Sequence, residues 1–250
     1  MSYAKSASVY DAIYTSMKNY RKEAEWVYEI VKKSTGKHPS DLSLLDVACG
    51  TGLHLEYFAK SFKRVEGLDL SEEQLAIARE RLPEVKFHQY NMMSFSLAEG
   101  LDGPESSFDV VTCLFSAVGH LTDYDQLRYA VRSMAAHLNP GGVLIIQPWI
   151  FPENFSAGDM HATFVDSDDI KVARMSVTTR EENVAVVEMH HMVGRPDVVE
   201  TFVETHRLTM FTDEEYRRTF QRAGLTVQFD PNGLSRNSRG IYIGVKPNQS

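Results

Sequence analysis

The sequence predicts an α/β fold: a Rossmann-like sheet of seven strands, the last pair antiparallel, with an antiparallel β-meander inserted over the edge where such sheets bind ligands. Three observations lead there. Through residues 1–150, short apolar runs alternate with amphipathic helical stretches, the pattern of a parallel sheet covered by helices on both faces. The first such run, Leu44-Leu45, passes into the glycine turn Asp46-Val47-Ala48-Cys49-Gly50-Thr51-Gly52. Between Pro148 and Phe211 the helical period gives way to a period of two. Residues 1–150 and 211–250 therefore read as one core, and 151–210 as an insertion expected to form the acceptor pocket.

Each element follows from its own pattern. Tyr3, Tyr10 and Tyr14 share one face of an N-terminal helix, as do Ala24, Val27, Tyr28 and Val31 in the next, Tyr20–Lys33. The strand at Leu44-Leu45 ends in the glycine turn, which opens a helix. Arg64–Ser71 holds the second strand, which ends in the acid Asp69, and Ser71-Glu72-Glu73-Gln74 has the form of a capping box. Val85–Tyr90 is the third strand and Phe108–Phe115 the buried fourth. Thr122 caps a helix whose stripe is Leu127, Ala130, Val131, Met134 and Leu138, and Asn139-Pro140-Gly141-Gly142 stops it before a fifth strand, Val143–Ile146. In the insertion, Ile170–Thr179, Val184–Val193 and Val199–Met210 alternate, placing Phe202, Glu204, His206, Leu208 and Met210 on one face. Thr212-Asp213-Glu214-Glu215 is a second capping box. Its helix ends near Gly224, and Leu225–Phe229 and Ile241–Val245 complete the sheet.

Composition narrows the function. The chain has 250 residues, 43% hydrophobic and 24% charged, enough for one core with an elaboration. A net charge of −8 without a basic run argues against nucleic acid as a partner. The start, Met1-Ser2-Tyr3-Ala4-Lys5-Ser6, lacks the apolar stretch of a signal peptide, and no apolar run reaches the roughly 18 residues of a membrane span. Cys49 and Cys113 fall at strand ends and read as small core residues in a reducing compartment, so a cytoplasmic location is expected. His190, His191 and His206 are expected at the surface. Adjacent residues on a strand face opposite ways, and no carboxylate or cysteine completes a metal set.

The glycine turn carries the chemistry. A strand that ends in such a turn and opens a helix is a place for an adenosine-type ligand, because residues without Cβ let it approach the backbone. The dinucleotide pattern wants a small residue where Leu55 stands, so a pyrophosphate on this helix is disfavoured. Asp69, 19 residues after Gly50, stands where a carboxylate accepts two ribose hydroxyls, with a simple capping role as the alternative. The run resembles motif I of class I S-adenosylmethionine-dependent methyltransferases. That resemblance implies S-adenosylmethionine as cofactor, with Asp46, Ala48, Gly50, Gly52, Asp69 and Phe115 around it. It further implies Asn91 at the adenine amine, accepting through its amide oxygen, and Met92 over the ring.

A narrower resemblance runs over essentially the whole chain. Residues Ser43–Gly52, Phe115–Leu121, Gln147–Phe155 and Ser238-Arg239-Gly240 are similar to the TDP-3-amino-deoxyhexose N,N-dimethyltransferases, which finish sugars such as desosamine and mycaminose for macrolide antibiotics. The chain departs from that family at Gln147-Pro148-Trp149-Ile150, where the usual run is Glu-Pro-Trp-Trp, and in a longer loop, Gly233–Gly240, that carries Arg236. The resemblance implies a small-molecule partner, a nucleotide-linked aminosugar whose amine is methylated twice. Another small amine or hydroxyl metabolite stays open as the acceptor, as does cofactor binding without turnover, and a homodimer is also left open. For residues, it implies that an N-terminal segment closes over the cofactor. Tyr10 and Tyr20 would then lie near the methionyl carboxylate and Tyr3 beside the acceptor amine. His120 would handle the amine proton, a task suited to an imidazole that titrates near neutrality. Trp149, Phe151 and Arg239 would meet the substrate, Arg239 through its diphosphate.

Overall fold

The computed structural model describes residues 3–97, 106–234 and 239–248, with the backbone alone for residues 3–8. Two helices, α1 (Tyr3–Met17) and α2 (Tyr20–Thr35), precede the sheet. Five parallel strands follow: β1 (Ser43–Val47), β2 (Arg64–Asp69), β3 (Lys86–Gln89), β4 (Phe108–Cys113) and β5 (Leu138–Ile146). Between them lie α3 (Leu55–Phe58), α4 (Glu72–Arg81) and α5 (Tyr124–Ala136). After an inserted second sheet come α6 (Asp213–Arg222), β10 (Thr226–Asp230) and β11 (Ile241–Val245). The main sheet runs β10-β11-β5-β4-β1-β2-β3, with β11 antiparallel to both of its neighbours. The expected seven-stranded α/β architecture is therefore the observed one.

Alternation within the strands divides the core in two. Leu45 and Val47 of β1 and Leu144 and Ile146 of β5 face the side covered by α5 and α6, where Leu127, Val131 and Phe220 are fully buried. Leu44, Val143 and Ile145 face the other side, against Val27 and Val31 of α2 and Phe58 of α3. Because β1 is paired on both edges and covered on both faces, four of its five residues are buried. The switch from β1 to β4 on one edge and β2 on the other opens a crevice at the strand carboxyl ends.

The inserted sheet has four strands, one more than expected: β6 (Met160–Asp166), β7 (Lys171–Glu181), β8 (Val184–Arg195) and β9 (Val198–Thr209). In β6 Met160, Ala162 and Phe164 lie on one face and Val165 on the other, which blurs the period of two in the sequence. Val9 and Ile13 of α1 pack on Val172 and Val193 of this sheet. That coverage corrects the expectation of surface histidines. Only His190 is exposed, whereas His191 is buried and His206 half-buried on the inner face.

Other differences are local. The glycine turn leads into a single short helix, α3, because Leu55 and Phe58 are buried at once and the chain must return to β2. Asp123, not Thr122, caps α5, its carboxylate accepting from the Gln126 amide at 2.9 Å. Leu138 pairs with Phe108 at the start of β5 instead of extending the helical stripe, and Pro140-Gly141-Gly142 absorb a shift in register. Ser71 caps α4 through the Gln74 amide, but the Gln74 side chain reaches toward the glycine turn instead of closing the box. At Thr212 the box closes in both directions, with Glu215 Oε2 accepting from the Thr212 amide at 2.8 Å and the Thr212 hydroxyl from the Glu215 amide at 3.2 Å.

Removing that cap gives a direct check on the fold. Thr212→Ala should lower unfolding free energy in urea by about 1 kcal/mol, with the denaturant slope unchanged.

Candidate functional site

The floor of the crevice is built from backbone. After β1 the chain takes left-handed geometry at Ala48 (φ 59°) and Gly50 (φ 58°), turning successive amides toward the end of β2. Asp69 meets them there: its Oδ2 accepts from the Gly50 amide at 2.8 Å and its Oδ1 from the Ser71 amide at 2.9 Å. Burial pushes this carboxyl above the usual range despite both bonds. A carboxylate has about four acceptor positions, so Asp69 retains capacity for donors such as a pair of vicinal hydroxyls. Gly50 could not be replaced freely, since a Cβ there would stand 2.8 Å from Gln74 Oε1. Gly52 does another job. At φ 82° it faces Ala78 and Leu82, 3.5 Å from where its Cβ would lie, and it does not line the cavity.

Both leading helices are fastened to this turn. Asp11 of α1 accepts from the Thr51 hydroxyl and from the Arg81 guanidinium, each at 2.6 Å, and Arg81 also donates to the Thr51 carbonyl at 2.5 Å. Glu23 of α2 contacts His54 at 2.8 Å and Lys18 at 3.0 Å. Burial alone would raise the Glu23 carboxyl, yet these two partners hold it below the usual range. The fastening hangs Tyr10 and Tyr20 over the crevice. The Tyr10 ring meets Tyr14 at a tilt, 4.3 Å between centroids, and Tyr14 meets the Phe115 ring at 4.8 Å.

The far end is set by an unusual pair of residues after β4. Phe115 (φ 53°) and Ser116 (φ 61°) are both left-handed without being glycine, a conformation that needs support. Gln147 supplies it by accepting the Phe115 amide at 2.8 Å, and the Ser116 hydroxyl donates to the Pro148 carbonyl at 2.7 Å. The chain then makes a 3-10 turn, Ala117–His120. Gly119 in this turn lies against Trp149 and Leu208, at 3.1 and 3.5 Å from its missing Cβ, so β9 docks directly behind His120. The His120 and His206 rings meet at 5.6 Å. Desolvation by the surrounding protein, then the neighbouring His206, lowers the His120 pKa although the residue keeps exposed surface, and the Asp69 charge opposes them. His206 is lowered by burial and by Arg174. Both imidazoles are thereby kept neutral at neutral pH.

A cavity of ≈ 610 Å³ joins the two ends. Of the residues expected from the sequence, Tyr10, Tyr20, Asp46, Ala48, Gly50, Asp69, Asn91, Met92, Phe115 and His120 line it. Asn91 Oδ1 accepts from the Met93 amide at 2.9 Å and keeps a second lone pair. Trp149, Phe151 and Arg239 stand outside the cavity wall. Phe151 is buried in the core against Phe229, Tyr216 and Tyr242. Arg239 lies 3.7 Å over the Trp149 ring and donates to the Ser116 hydroxyl at 3.2 Å. Enclosure by protein brings its pKa down to about 10, although the residue keeps exposed surface. The Tyr3 side chain and Arg236 lie outside the described residues. Thr51, His54, Gln74 and Gln126 also line the wall. Their signal in the sequence was adjacency to the turn and the caps, which a fold-level reading assigns to local structure. Among the described residues, no group of three or more His, Cys, Asp or Glu side chains could hold a metal ion. Backbone turn, a carboxylate with spare acceptor positions and aromatic cover together fit an adenosyl amino acid. No helix among the described residues is long and apolar enough to cross a membrane.

Known proteins share this fold. The sequence pattern of the family described as "Methyltransferase domain" matches residues 44–142. The chain is 42% identical, over 96% of its length and 90% of the relative's, to a dTDP-3-amino-3,6-dideoxy-alpha-D-glucopyranose N,N-dimethyltransferase of Streptomyces fradiae. The crystal structure of DesVI from Streptomyces venezuelae superposes with a TM-score of 0.88 at 41% identity, covering 96% of this chain and 98% of that one. The SAM-bound structure of CalS10, an amino pentose methyltransferase of Micromonospora echinaspora involved in calicheamicin biosynthesis, gives 0.84 at 40% identity, covering 95% and 96%.

Asp46 provides a measurable consequence of the buried floor. Desolvation pushes its carboxyl up to about 7, against the Thr112 hydroxyl that donates to it at 2.7 Å, and Asp69 adds to the rise. The folded protein binds this proton more tightly than the unfolded chain. Stability from this group is therefore fully present below an ordinary aspartate pKa of about 4 and is lost as pH rises through about 7. Asp46→Asn should remove that slope, and at pH above neutrality it should be more stable than wild type by a few kcal/mol, at roughly 1.4 kcal/mol per pKa unit. Paired urea titrations across pH measure the difference.

Proposed function

The chain belongs to the dTDP-aminosugar N,N-dimethyltransferases, S-adenosylmethionine-dependent enzymes of the class I fold, and on that premise we propose that it dimethylates the amine of a nucleotide-linked deoxy-aminosugar. One observation carries the reading: a single cavity has a hydroxyl-accepting carboxylate, Asp69, at one end and a neutral imidazole, His120, at the other. Bound S-adenosylmethionine supplies a methyl group on a positively charged sulfur, which a neutral amine displaces in line.

The chain's own residues prepare that displacement. Asp69 takes the ribose hydroxyls, and the amides around Gly50 line the close approach. Asn91 and Met92 receive the adenine. Tyr10 and Tyr20 cover the methionyl end, and Phe115 keeps water from the reacting centre. Asp46 and Ala48 shape the floor beneath. His120 accepts a proton from the acceptor ammonium: the N–H bond breaks, its electron pair stays on nitrogen, and the imidazole holds the proton until it leaves to solvent. The Asp69 charge, which favours the protonated ring, steadies that imidazolium. Each methylation leaves an alkylammonium that must lose a proton before the next, so one base serves both rounds. Arg239 remains a cation at neutral pH and, held flat on Trp149, suits a diphosphate approaching from outside the cavity. Tyr3 is retained as a candidate beside the amine. Free Cys49 and Cys113 suit a cytoplasmic enzyme.

A panel of acceptors tests the reading. Single-turnover assays with S-adenosylmethionine should add two methyl groups to dTDP-linked 3-amino or 4-amino deoxysugars and far fewer to the free sugars. Methylation confined to unlinked amines or hydroxyl metabolites would instead point to the drifted-acceptor reading, and binding without transfer to a silent one.

His120 gives the mechanistic check. His120→Asn should leave S-adenosylhomocysteine affinity nearly constant and lower turnover. Loss of a general base costs about a hundredfold or more where proton transfer limits the rate. Here an amine can also lose its proton to water, so a loss on the order of tenfold is expected, recovered in part at higher pH. In wild type, activity should fall as pH drops through the lowered His120 pKa, because the protonated ring can no longer accept. Turnover unchanged in the variant at neutral pH would remove His120 from the mechanism.

A further inference from the structure

Arg81 ends α4 and lies outside the lining of the cavity, yet it closes a ring of three residues drawn from distant segments. Its Nη2 donates to Asp11 Oδ2 of α1 at 2.6 Å, and its Nη1 donates to the Thr51 carbonyl at 2.5 Å and to the Thr51 hydroxyl at 3.2 Å. The Thr51 hydroxyl in turn donates to Asp11 Oδ1 at 2.6 Å. A planar guanidinium fits this set, because its fork serves a carboxylate and a carbonyl at once. Asp11 directly follows Tyr10, which lines the cavity. We propose that Arg81 is a positioning residue: through Asp11 it clamps α1 to the glycine turn with Tyr10 over the cofactor, and the Asp11–Arg81 pair opens each time spent cofactor leaves.

Among the described side chains of α1, Asp11 alone is hydrogen-bonded to the half of the molecule that holds the main sheet. Elsewhere the helix leans on the insertion, with Val9 and Ile13 against Val172 and Val193 and the Tyr14 hydroxyl 3.2 Å from Arg174 Nη1. Parting Asp11 from Arg81 would therefore free the helix on its cofactor side while the insertion still holds the other. The pair suits repeated opening. Thr51 is buried, but the Arg81 and Asp11 side chains are 24% and 16% exposed, so water can receive both charges as they separate. The demand for that opening rests on the dimethylation proposed above. Two methyl groups consume two cofactors, so S-adenosylhomocysteine has to leave between the rounds. A tighter clamp would slow that departure, and a weaker one would let cofactor escape before transfer. Arg79, two residues earlier on α4, is the natural contrast: it pairs with Glu72 at 2.5 Å on the exposed side of the helix and touches neither α1 nor the turn.

Release of labelled S-adenosylhomocysteine into an excess of unlabelled ligand reads the clamp without any acceptor. Arg81→Met and Asp11→Asn should each raise the release rate and the dissociation constant by about tenfold or more, with the association rate little changed. The double variant should be no worse than the more affected single one, because both changes remove the same interaction. Arg81→Lys should recover part of the loss, since an ammonium reaches the carboxylate but cannot also fork to the Thr51 carbonyl. Arg79→Met should release at the wild-type rate. With an aminosugar acceptor, KM for S-adenosylmethionine should rise in the Arg81 and Asp11 variants, while single-turnover transfer under saturating cofactor stays close to wild type. A second measurement needs no variant: amide hydrogen exchange over residues 9–17 of α1 in wild type should slow when S-adenosylhomocysteine binds. Wild-type release rates in both folded variants, an equal change in Arg79→Met, or exchange over that segment that ignores the ligand would overturn the assignment. Failure of every aminosugar acceptor would instead overturn the dimethylation reading, and the release rates would still decide the role of Arg81.

Discussion

The bond from the Gly50 amide to the Asp69 carboxylate is the constraint on which the site depends. It joins the end of β1 to the end of β2 across a crevice that the strand order opens, and it holds left-handed backbone at Ala48 and Gly50. With the turn fixed, Thr51 faces Asp11 and His54 faces Glu23, so each leading helix gains an anchor on the turn. Tyr10 and Tyr20 are suspended from those anchors. Loosening the turn would therefore disturb the floor and the cover of the cavity together.

Electrostatics divides the cavity. Two acids, Asp46 and Asp69, lie at the floor, both raised by burial and Asp46 further raised by its neighbour. At the other end desolvation by the surrounding protein lowers His120 and His206, and His206 adds to the lowering of His120. Groups of opposite type are pushed toward each other on the pH scale, the condition that the proposed hydroxyl contacts and proton transfer would use. The buried charges beside it are compensated locally, as Glu23 shows with Lys18 and His54.

The insertion completes the site by contact more than by contributing lining residues. At Gly119 a Cβ would stand 3.1 Å from Trp149, so the missing side chain lets the turn lie close to that ring, with Leu208 of β9 in ordinary contact beside it. Gln147, standing where the resembling family has glutamate, accepts the Phe115 amide and so stabilises the strained pair that aims the chain toward His120. An amide oxygen accepts that bond without adding a buried negative charge after β4.

Local patterns in the sequence determined the layered architecture, the closed capping box at Thr212, and most of the cofactor floor. These features depend on residues a few positions apart, and period, glycine placement and chain spacing record them directly. Gly50 was legible from the glycine turn and Asp69 from its spacing of 19 residues after it, while Asp46 and Ala48 followed from the resemblance to motif I. Tertiary structure alone decided what depends on contact between distant segments. It gave Gly52 to helix packing and Phe151 to the core, and it put Arg239 on Trp149. It also turned two expected surface histidines inward, because a period of two assigns a residue to a face without saying what will cover that face. The cover of the inner face comes from α1 and the His120 turn, which are far from it in sequence.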